Sequence, residues 1–333
     1  MATRGELNLI AHIRQSATGQ GGTMRLGIGD DCAVLRPPAG HDVLVTTDFS
    51  LEGKHFRRDW HPAQSAGHRC LARGLSDLAA MGARPMAAFL SLALPSSLRI
   101  TAAGRRWVDG FLAGLLALAE RTNTPLAGGD TAAAPGDQIL ADIVLLGSAP
   151  RGTELRRSGA RPGDILYVTG ALGGAAAELI VLSEAPGRFR RAEDGAGNRV
   201  SHPHLFPQPR VKVGEKLRSR GIATAAIDLS DSLSTDLRHV CEESRVGAVV
   251  DASALPQHTL LNDAEPDRAL GQMLHGGEDY ELLFTARPGT RVPRTIGGVA
   301  ITAIGQVTRS QEILLQQGSK TMPLPAGGWE HTL

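Results

Sequence analysis

The feature that most constrains this chain is the recurrence of short acidic motifs beside apolar stretches: Gly27-Ile28-Gly29-Asp30-Asp31, Thr46-Thr47-Asp48, Ser76-Asp77, Gly128-Gly129-Asp130, Asp228-Leu229-Ser230-Asp231 and Gly276-Gly277-Glu278-Asp279. A carboxylate beside Gly or Ser at the end of a core strand is badly placed for packing and well placed to hold a hard cation. Mg2+ takes one or two protein carboxylates, keeps several waters and is usually completed by substrate phosphates. A single Asp in a Gly-rich turn is most often a turn former or helix cap. Six such places in one chain point instead to metal-dependent phosphate chemistry. Carboxylates gathered without compensation repel and raise one another's pKa, so a real cluster must be neutralised by cations or bases, and several divalent ions are expected if the fold brings these motifs together.

Between these motifs the apolar pattern alternates between strand and helix. Residues 43–48, 86–94 and 140–147 read as strands. A helix is expected over Pro62–Met81, with Pro at its entry and Gly82 at its exit. A longer one covers Ala102–Thr122, where Trp107, Phe111, Leu115 and Leu118 recur at helical spacing. Loop chemistry over Ser158–Asp164 precedes a strand at Ile165–Val168, so two domains are expected, 1–150 and 151–333, in an α/β or α+β fold. The turn Gly170-Ala171-Leu172-Gly173-Gly174, before an Ala-rich helix, suits either phosphate binding by free backbone N–H groups or close packing. Residues 184–206 read as a mobile surface loop, Pro209–Arg220 as a helix, and Ser230–Val240 as a helix with Ser230 as its N-cap.

Composition excludes several classes of function. With 333 residues, 42% of them hydrophobic and 21% charged, the chain builds substantial cores. Lys plus Arg number 35 against 34 Asp plus Glu, which leaves no global field for nucleic acid or an anionic membrane. Met1–Ile13 lacks the apolar run of a secretory signal, and no window approaches the roughly 18 apolar residues of a membrane span. A soluble cytoplasmic protein is expected. Cys32, Cys70 and Cys241 are odd in number and far apart, which supports neither disulfides nor a zinc site. Walker-type, protein-kinase, His-Glu-x-x-His and Gly-x-Ser-x-Gly motifs are all absent, so any nucleotide site is of another type.

The ordered set of motifs resembles the thiamine-monophosphate kinase family. The residues that carry the resemblance are Gly-Ile-Gly-Asp-Asp-Cys-Ala-Val-Leu at 27–35, Thr-Thr-Asp at 46–48 with Gly53-Lys54-His55-Phe56, and Leu-Ser-Asp-Leu-Ala-Ala-Met-Gly-Ala at 75–83. They continue with Gly-Gly-Asp-Thr at 128–131, Ile-Asp-Leu-Ser-Asp at 227–231 and Gly-Gly-Glu-Asp-Tyr-Glu-Leu at 276–282. The match is collinear over nearly the whole chain. It implies the fold of the aminoimidazole ribonucleotide synthetase superfamily, with an amino-terminal metal, ATP and dimerisation domain and a carboxy-terminal α/β domain that completes the nucleotide and substrate site. The implied reaction is ATP plus thiamine monophosphate giving ADP plus thiamine diphosphate with Mg2+, in a homodimer. By resemblance, Asp31, Thr46, Thr47, Asp48, Asp77, Asp130, Asp228 and Asp231 are metal-site residues. Gly129, Asp130, Arg157 and Ser230 are nucleotide contacts, and His55 and Glu278 substrate contacts, with Asp130 and Arg157 nearest the chemistry.

The chemistry is consistent with that division. A phosphate monoester is already ionised near neutral pH, so the attacking oxygen needs no general base. The obstacle is the approach of two polyanions, which metal ions held by Asp side chains relieve while fixing in-line geometry. Arg157 is suited to stabilising phosphate charge and Glu278 to pairing with a thiazolium or accepting from an aminopyrimidine. Trp329 is the candidate for stacking on the substrate rings. Two departures stand out: Ser232 where the family usually has Gly, and Ala326 where relatives carry an aromatic residue. Within the superfamily, selenophosphate synthetase and the hydrogenase maturation dehydratase depend on a Cys in a flexible amino-terminal loop or at the carboxy terminus. Cys32 lies inside the Gly-Asp-Asp motif and the tail from Pro323 has none, which disfavours both. A non-catalytic cation- or nucleotide-binding protein is the alternative from another class.

Overall fold

The computed structural model describes residues 6–17, 22–188 and 202–328. Trp329 and most of the loop expected at 184–206 lie outside them. The chain divides into two compact units, each discontinuous in sequence. The first comprises Met1–Leu75, Arg84–Arg151 and Leu182–Phe206, and the second Ser76–Ala83, Gly152–Val181 and Pro207–Leu333.

The first unit contains α1 (Glu6–Ser16), β1 (Met24–Leu26), β2 (Val34–Leu35), β3 (His41–Leu51), most of α2 (Ala63–Ala80), β4 (Arg84–Leu94), α3 (Ser96–Ile100), α4 (Ala102–Thr122), β5 (Leu126–Ala133) and β6 (Leu140–Pro150). Four strands form a sheet in the order β3-β6-β4-β5, with β4 and β5 parallel and the other pairs antiparallel. One face is covered by α2, where a Cβ at Gly74 would stand 2.5 Å from Leu145 Cδ1 and 3.5 Å from Thr46 Cγ2. Helix α4 lies against α2 so closely that a Cβ at Gly67 would be 1.8 Å from the Phe111 carbonyl oxygen. Helix α4 has the bounds its apolar spacing predicts. Helix α2 ends as expected at Gly82, whose φ of 65° lets its N–H reach the Ala79 carbonyl while the Ala83 N–H reaches that of Leu78. On the opposite face, the β1–β2 hairpin covers Ala87, Phe89 and Ala127. Val43, Val45 and Phe49 of β3 stay exposed at 44%, 64% and 61%.

The second unit continues with β7 (Ile165–Thr169), most of α5 (Gly174–Glu184), α6 (Val211–Ser219), β8 (Ala225–Asp228), α7 (Leu233–Ser244), β9 (Gly247–Asp251), α8 (Pro266–His275), β10 (Leu282–Ala286), β11 (Thr295–Ile296), β12 (Val299–Thr308), β13 (Ile313–Gln317) and β14 (Lys320–Pro323). Its sheet has eight strands in the order β14-β13-β9-β12-β7-β10-β8, with β11 paired to β12. Only β13 and β9 run parallel. Leu166, Val168, Leu283 and Ile304 of this sheet form one core with Leu237 of α7 and Met273 of α8. The mixed α/β architecture expected from the sequence is the one observed.

Two local expectations change. Helix α7 begins at Leu233 rather than Ser230, and its cap is Ser232, whose Oγ accepts from the Thr235 N–H at 3.1 Å. The Ser230 carbonyl is instead taken by the Glu278 N–H at 2.8 Å, which keeps that residue outside the helix. Ser232 thus has a structural use as the cap of α7. The far end of the 184–206 segment is not a loose surface loop: His204, Leu205 and Phe206 are buried, and Ser65 donates to the Leu205 carbonyl at 2.7 Å. Among the described residues no helix is long and apolar enough to cross a membrane. Burial raises the thiols of Cys70 to about 12 and Cys241 to about 11, as suits inert core residues.

Candidate active site

In the first unit the Gly27–Ala33 turn and the Gly128–Thr131 stretch of β5 line a cavity of about 910 Å3. Gly129 has φ of 149°, and a Cβ there would stand 1.8 Å from the Leu90 carbonyl oxygen, so no other residue fits without moving β4. This close approach leaves the neighbouring carboxylate at the open edge. Asp130 is exposed, and among the described residues its Oδ1 accepts only the next N–H, that of Thr131, at 2.8 Å. Asp30 repeats the arrangement with the Asp31 N–H at 2.9 Å, and both residues are exposed. Thr131 Oγ1 is buried and has no hydrogen-bond partner among the described residues. Exposed carboxylates beside an unsatisfied hydroxyl and a stripped backbone suit hard cations and phosphate oxygens. No local signal in the sequence gives Thr131 a role; its unsatisfied hydroxyl is visible only in three dimensions.

The Thr46-Thr47-Asp48 triplet lies in β3, where successive side chains point to opposite faces. Thr46 and Asp48 face α2, and Asp48 Oδ1 lies 3.4 Å from Arg73 Nη2. The Thr47 side chain points the other way and donates to Asp142 Oδ1 at 2.8 Å, so the structure does not bring its hydroxyl to the face of the other two. His55 Nδ1 accepts from the Leu51 N–H at 2.9 Å, which commits one ring nitrogen to the turn after β3. Asp77 sits half-buried in the last turn of α2.

In the second unit two motifs run side by side. The Leu229 N–H donates to the Glu281 carbonyl at 2.8 Å, while the N–H groups of Glu278 and Tyr280 donate to the carbonyls of Ser230 and Leu229 at 2.8 and 2.9 Å. This pairing holds Asp228, Ser230 and Asp231 next to Glu278. It also forces Glu278 and Tyr280 into left-handed backbone, with φ of 67° and 50°. Such outliers persist only where the surroundings over-determine them, and they cluster at functional sites.

Asp279 closes the Gly170–Gly174 turn: its carboxylate oxygens accept from the Gly173 and Ala175 N–H groups at 2.7 and 3.1 Å. Burial pushes its pKa up to about 7, against the pull of these two bonds. The N–H groups that an incoming phosphate would need are taken by the protein's own carboxylate, which favours the packing reading of this turn.

Asp231, Asp236 and His239 present ligand atoms within 4.8 Å of one another. Asp236 was not singled out from the sequence. Burial raises it to about 7, with the Asp231 charge adding to the rise, while the N–H groups of Ser232 and Asp231 and the positive charge of Arg157 oppose it. Arg157 is exposed and therefore acts electrostatically on the same corner as Ser230 and Asp231. Glu281 was also missed. It is 4% exposed, takes Arg210 in a bidentate pair and accepts from Thr169 Oγ1 at 2.5 Å. Its position three residues after Glu278 was the available signal.

Residues 29–149 match the family model of the AIR synthase related protein, N-terminal domain. Thiamine-monophosphate kinase of Salmonella typhimurium is 40% identical over 313 residues, 92% of either chain. The crystal structure of thiamine-monophosphate kinase from Stenotrophomonas maltophilia K279a is similar at a TM-score of 0.80 and 36% identity, covering 94% of this chain and 96% of that one. AaThiL complexed with AMPPCP and TMP is similar at a TM-score of 0.71 and 26% identity, covering 98% and 97%.

Proposed function

Since the chain belongs to the thiamine-monophosphate kinase family, we propose that it transfers the γ-phosphoryl group of ATP in line to thiamine monophosphate, giving ADP and thiamine diphosphate without a phosphoenzyme. The observation that carries this reading is the first unit's cavity, where Gly129 has no room for a side chain, Asp31 and Asp130 are exposed and the Thr131 hydroxyl has no partner among the described residues. These residues fit Mg2+ and a triphosphate. Held by these carboxylates, several Mg2+ ions would supply the positive charge that relieves repulsion between the two polyanions, the electrostatic part of phosphoryl transfer.

The remaining work falls to the chain itself. Asp31, Thr46, Asp48, Asp77, Asp130, Asp228 and Asp231 supply the metal set; Thr47 is kept in it by resemblance, although its hydroxyl is engaged with Asp142. Gly129 brings backbone close to the phosphates, and Ser230 and Arg157 complete the nucleotide contacts. The exposed Arg157 guanidinium is free of deep burial and suited to charge that develops on the transferring group. Glu278, fixed in left-handed backbone, faces the thiamine moiety and His55 the substrate phosphate, while Trp329, outside the described residues, is kept as the candidate for stacking on the rings.

The amino-terminal domain, 1–150, carries metal, ATP and the dimer contact, and 151–333 completes the nucleotide and substrate site. The exposed Val43, Val45 and Phe49 on β3 support a homodimer, because monomers rarely leave such an apolar strand face to water. The test is ADP formation by purified protein in the presence and absence of Mg2+ and thiamine monophosphate. Turnover is expected only with both. A folded protein that forms no ADP under these conditions overturns the proposal.

A further inference from the structure

We infer that Arg14, on α1, is a phosphate contact for the nucleotide, an inference that rests on the proposed reading of the first unit's cavity as the ATP site. Helix α1 is held there by the burial of Ile13, 9% exposed, and by His12 Nε2, which lies 3.1 Å from Asp109 Oδ1 of α4. Arg14 then lies directly over the Gly27–Asp31 turn. A Cβ built on Gly29, whose φ is 136°, would stand 2.5 Å from Arg14 Cζ and 2.5 Å from Nη2. The glycine in this motif therefore does more than turn the chain; it makes room for a guanidinium at the cavity wall.

The charge around this guanidinium points to its ligand. Among the described residues lining the cavity, Arg14 is the only Lys or Arg, against Asp30, Asp31 and Asp130. It shares the cavity with these carboxylates, yet no ion pair or hydrogen bond of Arg14 is found among the described residues. A guanidinium is always charged, presents five donors in a planar fork and matches a phosphate bidentately. A triphosphate entering a wall of carboxylates needs positive charge from the protein beyond what its own cations supply. Arg14, in the same cavity, is placed to give it, and α1 is the element that delivers it.

Isothermal titration with AMPPCP and Mg2+ tests this on wild type, Arg14→Ala and Arg14→Lys. The Ala variant is expected to bind at least tenfold more weakly and to raise the KM for ATP in step. Its KM for thiamine monophosphate and its melting temperature should stay within error of wild type, and the Lys variant should fall between. If the Ala variant melts lower, the Lys variant decides. AMPPCP affinity within twofold of wild type, or equal losses for both substrates, overturns the inference. If wild type forms ADP but AMPPCP affinity is insensitive to Arg14, only Arg14's role falls. If wild type neither binds AMPPCP nor turns over, the cavity reading falls and Arg14 with it.

Discussion

The two acidic regions of this protein use the same residue types to opposite ends. In the first unit Asp30, Asp31 and Asp130 are exposed, and among the described residues Asp30 and Asp130 each accept only the N–H of the following residue. In the second, Asp236 is 2% exposed and Asp279 bonds two N–H groups of a distant turn, and both are raised to about 7. The difference separates carboxylates that remain available to a cation from carboxylates consumed in building the fold. Acidic motifs that look alike in sequence are therefore not interchangeable: Asp30, Asp31 and Asp130 stand exposed, while burial drives Asp236 and Asp279 toward the protonated form.

The sharpest way to break this comparison is Asp130→Asn. If Asp130 serves a ligand rather than the fold, turnover should fall by about 100-fold or more while the melting temperature stays put. Near-normal kcat, or a lost fold, would place Asp130 with the structural carboxylates. Gly129→Ala comes next. Its new Cβ would meet the Leu90 carbonyl oxygen at 1.8 Å, so a loss of about 1–3 kcal/mol in urea unfolding is expected, together with lower activity. An unaltered unfolding midpoint would mean that β4 gives way easily.

Asp279→Asn tests the other side of the comparison. A carboxyl that titrates near 7 when folded and near 3.9 when unfolded holds its proton more tightly in the native state, so its contribution to stability declines as pH rises from about 4 to 7. The amide does not titrate, and it accepts one N–H where the carboxylate accepts two. The variant's deficit should thus be largest near pH 5 and shrink by pH 8 in paired melting curves. A deficit that widens with pH contradicts a raised Asp279. The smallest effect is expected for Ser232→Ala, which removes the α7 cap at a cost of about 1 kcal/mol with kcat within a few-fold. A kcat loss as large as that of Asp130→Asn would move Ser232 from the fold to the chemistry.

Much of the fold was legible locally. The apolar spacing of Trp107, Phe111, Leu115 and Leu118 predicts α4 over the residues it occupies, and Gly82 marks the end of α2. Of the site, the order of the acidic motifs pointed to phosphate chemistry and to a kinase family. Which side chains stay available was not legible. Thr46, Thr47 and Asp48 look like one motif, but the pleat sends Thr47 to Asp142 and leaves Asp48 with Arg73. Ser230 is as good a cap as Ser232 by residue type, and only the pairing of its carbonyl with the Glu278 N–H removes it from the helix.

By itself, then, the sequence determined periodicity, helix ends and the presence of acidic turns, because these depend on neighbours within one or two turns of chain. The tertiary structure alone decided the fate of each carboxylate. Asp279 is spent on Gly173, 106 residues away, and Arg210 on Glu281, 71 residues away. Burial and partnership at such separations are set by how the sheets and helices close over the chain, a property that no local spacing encodes.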